Sequence, residues 1–510
     1  MRARQGLAGC GSVDRAPTRR GPGRRRLAVR SAALAVAAAL LVTGCGSGDD
    51  DPEPAPNPAP PTSAAPRPPV ESAAGAQPFG AHWDWSRYEQ FLPYLRKLSG
   101  SATYHELSWC DIERTEGQRD WSAVDQVAQR SRELGITLNL KIRIGVCWAT
   151  GGTAQHTRGQ ANKTESAMPR DIATYQRFVT ELVTRYRPYG VTRYAVENEV
   201  NAPQYWAGTP DDYVRLVTAA ADAIHGADPA ARVVDSGISS VAYGFGVVDR
   251  LVRAGRIDEA ITAYGAYFQR RVGTRGRKIP TVADEATLRR ALADETNARN
   301  VASLAATEGL LDSGVVQVRQ LHFYEHHDGV PALLDYLTAE TPAGAPIEAW
   351  EVGQFWRDSD GDAASRAEEV VKVTSRLLAG GITQVMWLPL GYNPQNRAGS
   401  EVRYGLLEPD GTEREAGRML AELAEAARGA TIAAVAREGL TGVSFQRGDE
   451  TTLVLWSTSD VTVTVPPAAG LRSGPVGESP APAAAPVSVS SAPVLLTAAG
   501  TPDSLLSGVD

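Results

Sequence analysis

Two glutamates that are far apart in the sequence each lie at the end of, or within, a short apolar run. Glu199 closes the run that begins at Tyr194, and Asn198 directly precedes it. Glu351 lies within the apolar stretch 347–353. Two carboxyl groups that face each other can protonate a leaving oxygen and attack the carbon it leaves, which is the chemistry of glycoside hydrolysis. A single glutamate at a loop end would more simply be a solvated side chain, so the hypothesis depends on the pair.

The elements that must position these glutamates are strands that alternate with amphipathic helices over residues 78–428. After Glu199 a helix begins clearly, because Thr209 can act as its N-cap and Pro210 suits its first position. This alternation predicts an α/β fold, a (β/α)8 TIM barrel, whose reacting groups sit at the carboxyl ends of the strands. Strands four and seven then face each other across the barrel mouth. The predicted strands are 78–85, 102–109, 136–142, 191–201, 232–235, 315–324, 347–353 and 382–388.

Two regions exceed what a barrel needs. Residues 268–311 predict a largely helical insertion between strands five and six. From residue 429 the pattern changes to short alternating strands separated by glycine and proline. This change predicts a small antiparallel β domain over residues 429–510, packed against the barrel.

Other polar and aromatic residues collect at the predicted strand ends, among them seven of the ten tryptophans. Aromatic faces can stack on sugar rings, whereas amides and carboxylates bind hydroxyl groups. The alternative is that the indoles fill the barrel and its loops, and we expect about half of them to do so. The sequence therefore predicts a cleft for carbohydrate. Its candidate substrate-binding residues are Asn198, His322, Tyr324, Trp387, His82 and Trp85.

These motifs resemble the retaining glycoside hydrolases of clan A. Asn198-Glu199 matches the pair that supplies the acid/base in that clan, and Glu351-Val352-Gly353 matches the strand-seven nucleophile. His322-Phe323-Tyr324 resembles the strand-six motif, and Trp387 resembles the tryptophan that floors the sugar site. The stretch 109–125 also resembles a clan motif. The similarity covers about residues 78–425 and is closest to family 39, the β-xylosidase and iduronidase group with its polysaccharide-cleaving bacterial members.

The resemblance implies an extracellular retaining glycosidase for β-linked polysaccharide or oligosaccharide, with no cofactor. Glu351 would be the nucleophile and Glu199 the acid/base. The chain departs from the family at three positions: Glu197 replaces a tryptophan, Val200 replaces a proline, and Tyr104 stands where many members carry an arginine that supports the nucleophile. These departures leave an alternative open, a non-catalytic carbohydrate-binding lipoprotein on a degenerate barrel.

Glu197 is unusual for its expected position. If strand four continues to residue 201, side-chain alternation places Glu197 on the same side as Glu199, one layer deeper. A buried carboxylate must be paired or protonated. One interpretation pairs Glu197 with Lys141 or Arg143. In the other, its charge raises the pKa of Glu199, which favours a general acid.

The N-terminal region predicts export. Residues 1–44 carry nine arginines and one aspartate, followed after the arginines by an apolar run of eleven residues and the lipobox-like 42–45. This pattern predicts a lipoprotein signal peptide over 1–44, with lipidation of Cys45 and location on the outer face of a bacterial cell membrane; a plain secretory signal is the alternative. Residues 45–77, rich in proline and alanine, predict a disordered tether.

Charge and cysteine content add further expectations. The chain has a net charge of −7, and since residues 1–44 contribute +8, residues 45–510 sum to −15, which argues against nucleic acid as a partner. Cys110 and Cys147 follow neighbouring strands at the same barrel end, so an oxidising compartment favours a disulfide; two buried thiols are the alternative. The histidines and carboxylates, including 326–328, show no metal-ligand spacing, and no metal is predicted.

Overall fold

A computed structural model describes residues 67–158, 163–271, 279–357, 362–395, 397–398, 401–458, 462–483 and 485–509. The predicted signal peptide, Cys45 and most of the predicted tether lie outside the described residues. None of the helices within the described ranges has the length and apolar character needed to cross a bilayer.

Eight parallel strands form two four-stranded sheets. One has the order β2-β3-β4-β5 and the other β1-β8-β7-β6. The strands are β1 Phe79–Ala81, β2 Ala102–Ser108, β3 Thr137–Arg143, β4 Arg193–Val196, β5 Arg232–Val234, β6 Arg319–Phe323, β7 Ile347–Val352 and β8 Gln384–Trp387. Each lies within or close to a predicted strand, because its buried apolar residues dominate the local pattern, and the predicted α/β class is confirmed.

The two sheets approach each other at both edges. Between β5 and β6, isolated parallel bridges join Val234 to Val318 and Ile238 to Leu321. Between β1 and β2, the Thr103 hydroxyl donates to the carbonyl oxygen of Ala81 over 2.8 Å. Among the described residues the ladder of backbone hydrogen bonds does not close into a continuous barrel. The space between the sheets is nevertheless filled by a buried cluster: Ala102, Tyr104, Ala195, Val234, Val318, Trp350 and Met386.

The α-helices of eight residues or more alternate with these strands. They are α1 Tyr88–Leu95, α2 Ser122–Leu134, α3 Ile172–Tyr186, α4 Pro210–Ala227, α5 Ser240–Arg253, α6 Ile257–Phe268, α7 Glu285–Ala293, α8 Glu295–Asp312, α9 Val330–Ala339, α10 Ala363–Ala379 and α11 Glu415–Ala427. Helix α4 begins as predicted, since Thr209 and Asp212 form a reciprocal capping box and Pro210 is its first residue. Helices α5 to α8 separate β5 from β6, so the predicted insertion is helical in its described part.

An antiparallel sheet follows α11, as predicted. Its main strands are Thr431–Arg437, Leu440–Arg447, Glu450–Ser457, Arg472–Pro475 and Val494–Ala499. Side chains alternate between its two faces. Val454 and Trp456 join the core that contains the parallel strands, whereas Leu453 and Leu455 join a separate apolar cluster on the other face. The sheet therefore packs one face on the α/β part, and its other face is covered by residues that include the paired strands Val463–Val465 and Val487–Val489 and the short helix Pro502–Leu505.

The predicted tether is wrong at its C-terminal end. Val70–Glu71 forms a short strand that pairs antiparallel with Thr431 and Ile432. Val70 is buried, and Gln77 donates from its backbone to the carbonyl oxygen of Gly100 over 3.1 Å. Backbone pairing needs no run of large apolar side chains, so composition did not reveal that residues 67–77 belong to the folded part.

Candidate active site

Strand β4 ends at Val196, five residues earlier than predicted. Glu197 and Glu199 both have left-handed backbone conformations, with φ of 66° and 42°. Such conformations cost about 1–3 kcal/mol each in non-glycine residues and persist only where the surroundings impose them. The Glu199 amide leaves the ladder and donates to the carbonyl oxygen of Ser236 over 3.3 Å. Strand alternation therefore does not apply beyond Val196, and the predicted geometric relation between Glu197 and Glu199 is wrong.

Residues of the helical insertion hold the loop that follows Glu199 in place. The Arg299 guanidinium on α8 donates to four backbone carbonyls, those of Asn201 and Val200 at 3.0 and 3.2 Å and those of Trp206 and Gly208 at 3.2 and 3.1 Å. A second contact joins the side-chain amides of Asn201 and Asn300 over 2.8 Å. The insertion thus fixes the loop that carries Glu199.

Glu199 and Glu351 meet around His322. The His322 Nδ1 lies 2.9 Å from Glu199 Oε1 and 3.5 Å from Glu351 Oε2. One oxygen of each carboxylate and one ring nitrogen all lie within 4.8 Å of one another. The two glutamate side chains are 14% and 11% exposed, whereas His322 is fully buried. The structure therefore brings the two predicted carboxylates together at a partly open position, at the ends of β4 and β7.

Glu351 accepts hydrogen bonds on both oxygens. Its Oε1 accepts from the Tyr104 hydroxyl at 2.9 Å and from the Lys141 ammonium at 3.0 Å. Its Oε2 accepts from the Tyr324 hydroxyl at 3.0 Å. A shift in the β6–β7 register between Ala349 and Glu351 sets Glu351 opposite His322. Such irregularities re-aim side chains locally.

The electrostatics favour an ionised Glu351. Burial alone would raise its pKa, but the electrostatic interactions with His322, Lys141 and Arg403, together with the Lys141 hydrogen bond, hold that pKa well below its usual range. Burial and the Glu351 charge raise the pKa of Tyr104 well above 10. Burial likewise raises the pKa of Tyr324 well above 10. Both phenols therefore remain protonated donors toward a carboxylate acceptor.

Lys141 is a site residue that sequence reasoning missed. We expected it, if anywhere, beside Glu197, but its ammonium contacts Asn198 Oδ1 at 2.6 Å and Glu351 Oε1 at 3.0 Å. The predicted residue Asn198 thus belongs to the cluster. The available signal was a lysine in a central strand whose residues alternate between apolar and polar, because lysine is rarely buried unless it is paired.

Glu197 has different partners. Its Oε1 accepts from the backbone amide of Ile144 at 2.9 Å, and its Oε2 lies 3.7 Å from Arg143 Nε. Complete burial raises the pKa of Glu197 to about 7, although the Arg143 charge and the hydrogen bonds oppose that rise. Of the two interpretations offered by the sequence, this geometry favours the pair with Arg143.

The remaining predicted binding residues differ in burial, since Trp387 is fully buried whereas His82 and Trp85 are partly exposed. Trp387 is fully buried and donates from its indole to the carbonyl oxygen of Tyr404 over 2.9 Å. His82 stacks on Tyr104 at 4.2 Å between ring centroids, and burial lowers its pKa to about 4. Trp85 packs on Trp83 and on Tyr88 at the start of α1. His82 is thus linked to Glu351 through Tyr104, whereas these contacts of the Trp85 and Trp387 side chains involve neither carboxylate.

The two predicted cysteines form a disulfide at the ends of β2 and β3. The Cα atoms of Cys110 and Cys147 are 5.7 Å apart. Beside the bond lies a cavity of about 250 Å³, whose lining includes Glu106, Arg143 and Lys163. On β2 and β3, Glu106 and Arg143 are each two residues beyond the partners of Glu351, so this cavity opens toward the same end of the strands.

Within the described ranges, two groups of side chains bring possible metal-ligand atoms within 4.8 Å of one another: Glu199, His322 and Glu351, and His326, His327 and Glu369. In the first group Lys141 already supplies a positive charge to Glu351. In the second, His327 Nδ1 lies 2.6 Å from Glu369 Oε2, and an Arg270 nitrogen lies 3.3 Å from Glu369 Oε1. The carboxylates of Glu351 and Glu369 are therefore each paired with positively charged or hydrogen-bonding groups of the protein itself.

Comparisons with known proteins identify the fold. No protein-family model matches the chain, and no curated protein matches it by sequence. Among solved structures, a family 39 glycoside hydrolase from Bacteroides cellulosilyticus WH2 has a TM-score of 0.57 at 13% identity, covering 82% of this chain and 81% of that one. A family 39 β-xylosidase from Caulobacter crescentus has a TM-score of 0.54 at 14% identity, covering 86% and 98%.

A third structure, the family 39 enzyme from Xanthomonas axonopodis pv. citri, has a TM-score of 0.51 at 12% identity and covers 86% of this chain and 96% of that one. At these identities the similarity concerns the fold. The resemblance predicted from the sequence motifs is confirmed at that level: the chain is similar in structure to family 39 glycoside hydrolases of clan A.

Proposed function

We propose that this protein is a retaining glycoside hydrolase that cleaves β-linked polysaccharide or oligosaccharide. The observation that carries the proposal is the opposed pair Glu199 and Glu351, with one oxygen of each within 4.8 Å around His322. Retaining enzymes separate their two carboxyl groups by about 5–5.5 Å, whereas inverting enzymes leave room for a water. Similarity to structures described as β-xylosidase and family 39 glycoside hydrolase supports the same class.

The proposed reaction has two displacements. Glu351, ionised by its positive surroundings, attacks the anomeric carbon while Glu199 gives its proton to the leaving oxygen. Glu199 then takes a proton from water as the water displaces Glu351 from the sugar. Asn198, His322 and Tyr324, which contact these carboxylates or Lys141, would orient the sugar and the reacting groups. Trp387 and the stacked His82 would support them from below.

We further propose that the eight strands act as one (β/α)8 barrel whose mouth holds this site. The bridges between β5 and β6 and the contact between β1 and β2 support that arrangement. We also propose the extracellular, lipid-anchored location, on the strength of the sequence pattern before Cys45. The proposed anchor is tested by measuring how much protein is in the membrane and how much is in the medium, for the wild type and for Cys45→Ser. We expect the variant to be released into the medium.

The activity is tested with a panel of aryl β-glycosides and β-linked oligosaccharides. Glu199→Gln and Glu351→Gln should each lower kcat/KM by about 10³-fold or more, because an amide neither gives the proton nor attacks. The exposed Glu89→Gln is the matched control and should retain wild-type rates. NMR of the first product formed should show the same anomeric configuration as the substrate, as expected for a retaining enzyme.

The alternative function, a non-catalytic sugar binder, has its own signature. A folded protein that binds oligosaccharides with the same affinity before and after Glu199→Gln, and hydrolyses none of the panel, would establish that alternative and contradict the enzyme.

A further inference from the structure

Lys141 is the only charged side chain of β3 that contacts Glu351 among the described residues, and it is fully buried. Burying an ammonium is unfavourable unless close partners compensate for its lost hydration. Its partners are Asn198 Oδ1 at 2.6 Å, Glu351 Oε1 at 3.0 Å and His322 Nε2 at 3.3 Å. The ammonium also lies 4.5 Å from the centre of the Tyr104 ring. The position of Lys141 is therefore determined by groups of the candidate active site.

These contacts make the two oxygens of Glu351 unequal. Oε1 accepts from a charged donor, Lys141, and from Tyr104. Oε2 accepts from the neutral Tyr324 and lies 3.5 Å from the same His322 nitrogen that contacts Glu199. A charge-assisted hydrogen bond withdraws more electron density than a neutral one. Oε2 is therefore the better nucleophile, and it lies on the side of the acid/base.

We propose that Lys141 is a positioning residue for Glu351: it holds Oε1, presents Oε2 to the anomeric carbon, and stabilises the carboxylate when the sugar leaves it. The catalytic meaning of this role rests on the proposed function. The chain thereby uses a lysine on β3 together with Tyr104 on β2 to support the nucleophile.

The change in charge on Glu351 differs between the two steps, and this difference distinguishes a positioning role of Lys141 from a purely structural one. In the first step the bond from Oε2 to the anomeric carbon forms as the bond to the leaving oxygen breaks, and Glu351 becomes a neutral ester. In the second step water attacks that carbon, Glu199 takes the proton, and the electron pair returns to Glu351. Lys141 stabilises the returning negative charge, so its loss should slow the second step most.

The test compares the full chain with Lys141→Gln on a dinitrophenyl glycoside, whose good leaving group makes the second step limiting. We expect kcat to fall about 100-fold, the scale for losing one preorganised electrostatic contact. KM should fall in parallel, and mass spectrometry of the variant should detect an accumulated glycosyl-enzyme. Unchanged kcat, or a fall in kcat without lower KM or accumulation, would overturn the proposal.

A second measurement does not require activity. Carbodiimide labels protonated carboxyl groups, so the pH midpoint for labelling Glu351, followed by peptide mapping, reports its protonation. Lys141→Gln removes a nearby positive charge and should move that midpoint up by more than about one pH unit. Lys97→Gln, which removes an ammonium paired with Glu413 at the surface, is the control and should leave it unchanged.

Two results distinguish the failures. If the labelling midpoint shifts but the wild type hydrolyses no glycoside, the proposed function fails while the positioning of Glu351 by Lys141 stands. If the wild type is active and the midpoint does not shift, the role of Lys141 is wrong. Should Lys141→Gln not fold, Tyr104→Phe removes the other donor to the same oxygen, and it should move the midpoint in the same direction by a smaller amount.

Discussion

Lys141 and Glu197 are both buried near the ends of neighbouring strands, but they differ in how well nearby groups compensate for their charge. Lys141 is surrounded by acceptors, one of them the ionised Glu351. Glu197 has one backbone donor at 2.9 Å and its nearest cation at 3.7 Å, and burial raises its pKa to about 7. Glu197 thus changes its charge near neutral pH within the folded protein, although an unfolded glutamate does so near pH 4.5.

The raised pKa of Glu197 predicts a pH-dependent cost to stability. Below about pH 4.5 both the folded and the unfolded state hold the proton, and there is no cost. As the pH rises to 7 the unfolded state loses its proton more readily, so the free energy of unfolding falls. Glu197→Gln removes this loss, and its stability relative to wild type should increase by about 3 kcal/mol between pH 4 and pH 8.

Urea unfolding of both proteins at the two pH values measures that difference. The exposed Glu89→Gln serves as the control, and its stability relative to wild type should be the same at both. A difference for Glu197→Gln that is independent of pH would mean that the pKa of Glu197 is the same in the folded and the unfolded state, because Arg143 and the hydrogen bonds offset the effect of burial.

The sequence predicted that Glu199 and Glu351 face each other, but it did not predict the residues that hold them. Residue type, an apolar run and a family motif identified Glu199 and Glu351. The donors Tyr104 and Lys141 were each noted, yet their target was not predicted, because strand twist and side-chain length decide which atoms meet. Nor could the left-handed conformation of Glu199 be predicted, since nothing but its surroundings imposes it on a residue that is not glycine.

At the scale of elements, the insertion between β5 and β6 has a role that its sequence did not indicate. Arg299 near the start of α8 satisfies four carbonyls of the segment 200–208. Carbonyls left without a donor in a partly buried loop would each cost about 1–3 kcal/mol. The helix therefore stabilises the segment immediately after Glu199, and through it the strained backbone of Glu199 itself.

Arg299→Ala should consequently lower both stability and activity. We expect a loss of about 2–4 kcal/mol in the free energy of unfolding, because several hydrogen bonds from one charged donor disappear together. Arg289→Ala on α7 is a matched control: this exposed arginine pairs with Glu285, four residues before it, and should change stability by less than about 0.5 kcal/mol. Denaturant unfolding and kcat/KM of the three proteins test the prediction, and an active, equally stable Arg299→Ala would refute it.

At the scale of the whole molecule, the predicted boundary at residue 429 separates two patterns, yet one face of the sheet beyond it belongs to the core of the α/β part. Phe445 of the antiparallel sheet lies 6.4 Å, centroid to centroid, from Phe79 of β1. Val454 and Trp456 belong to the same core as the parallel strands. The alternating strands were predictable from period-two patterns, whereas the contribution of Val70–Glu71 was not, because two residues carry no periodicity.

The shared core predicts that the antiparallel sheet and the α/β part unfold together. Phe445→Ala should destabilise the protein by about 3–5 kcal/mol, the range for truncating a buried phenylalanine. Hydrogen exchange should become faster by the same factor in peptides from β7 and in peptides from 450–457, since both report one cooperative opening. Arg437→Ala, which removes a surface ion pair with Asp503, should change neither. Faster exchange confined to the antiparallel sheet would instead show that the sheet opens as an independent unit, leaving the site around Glu351 intact.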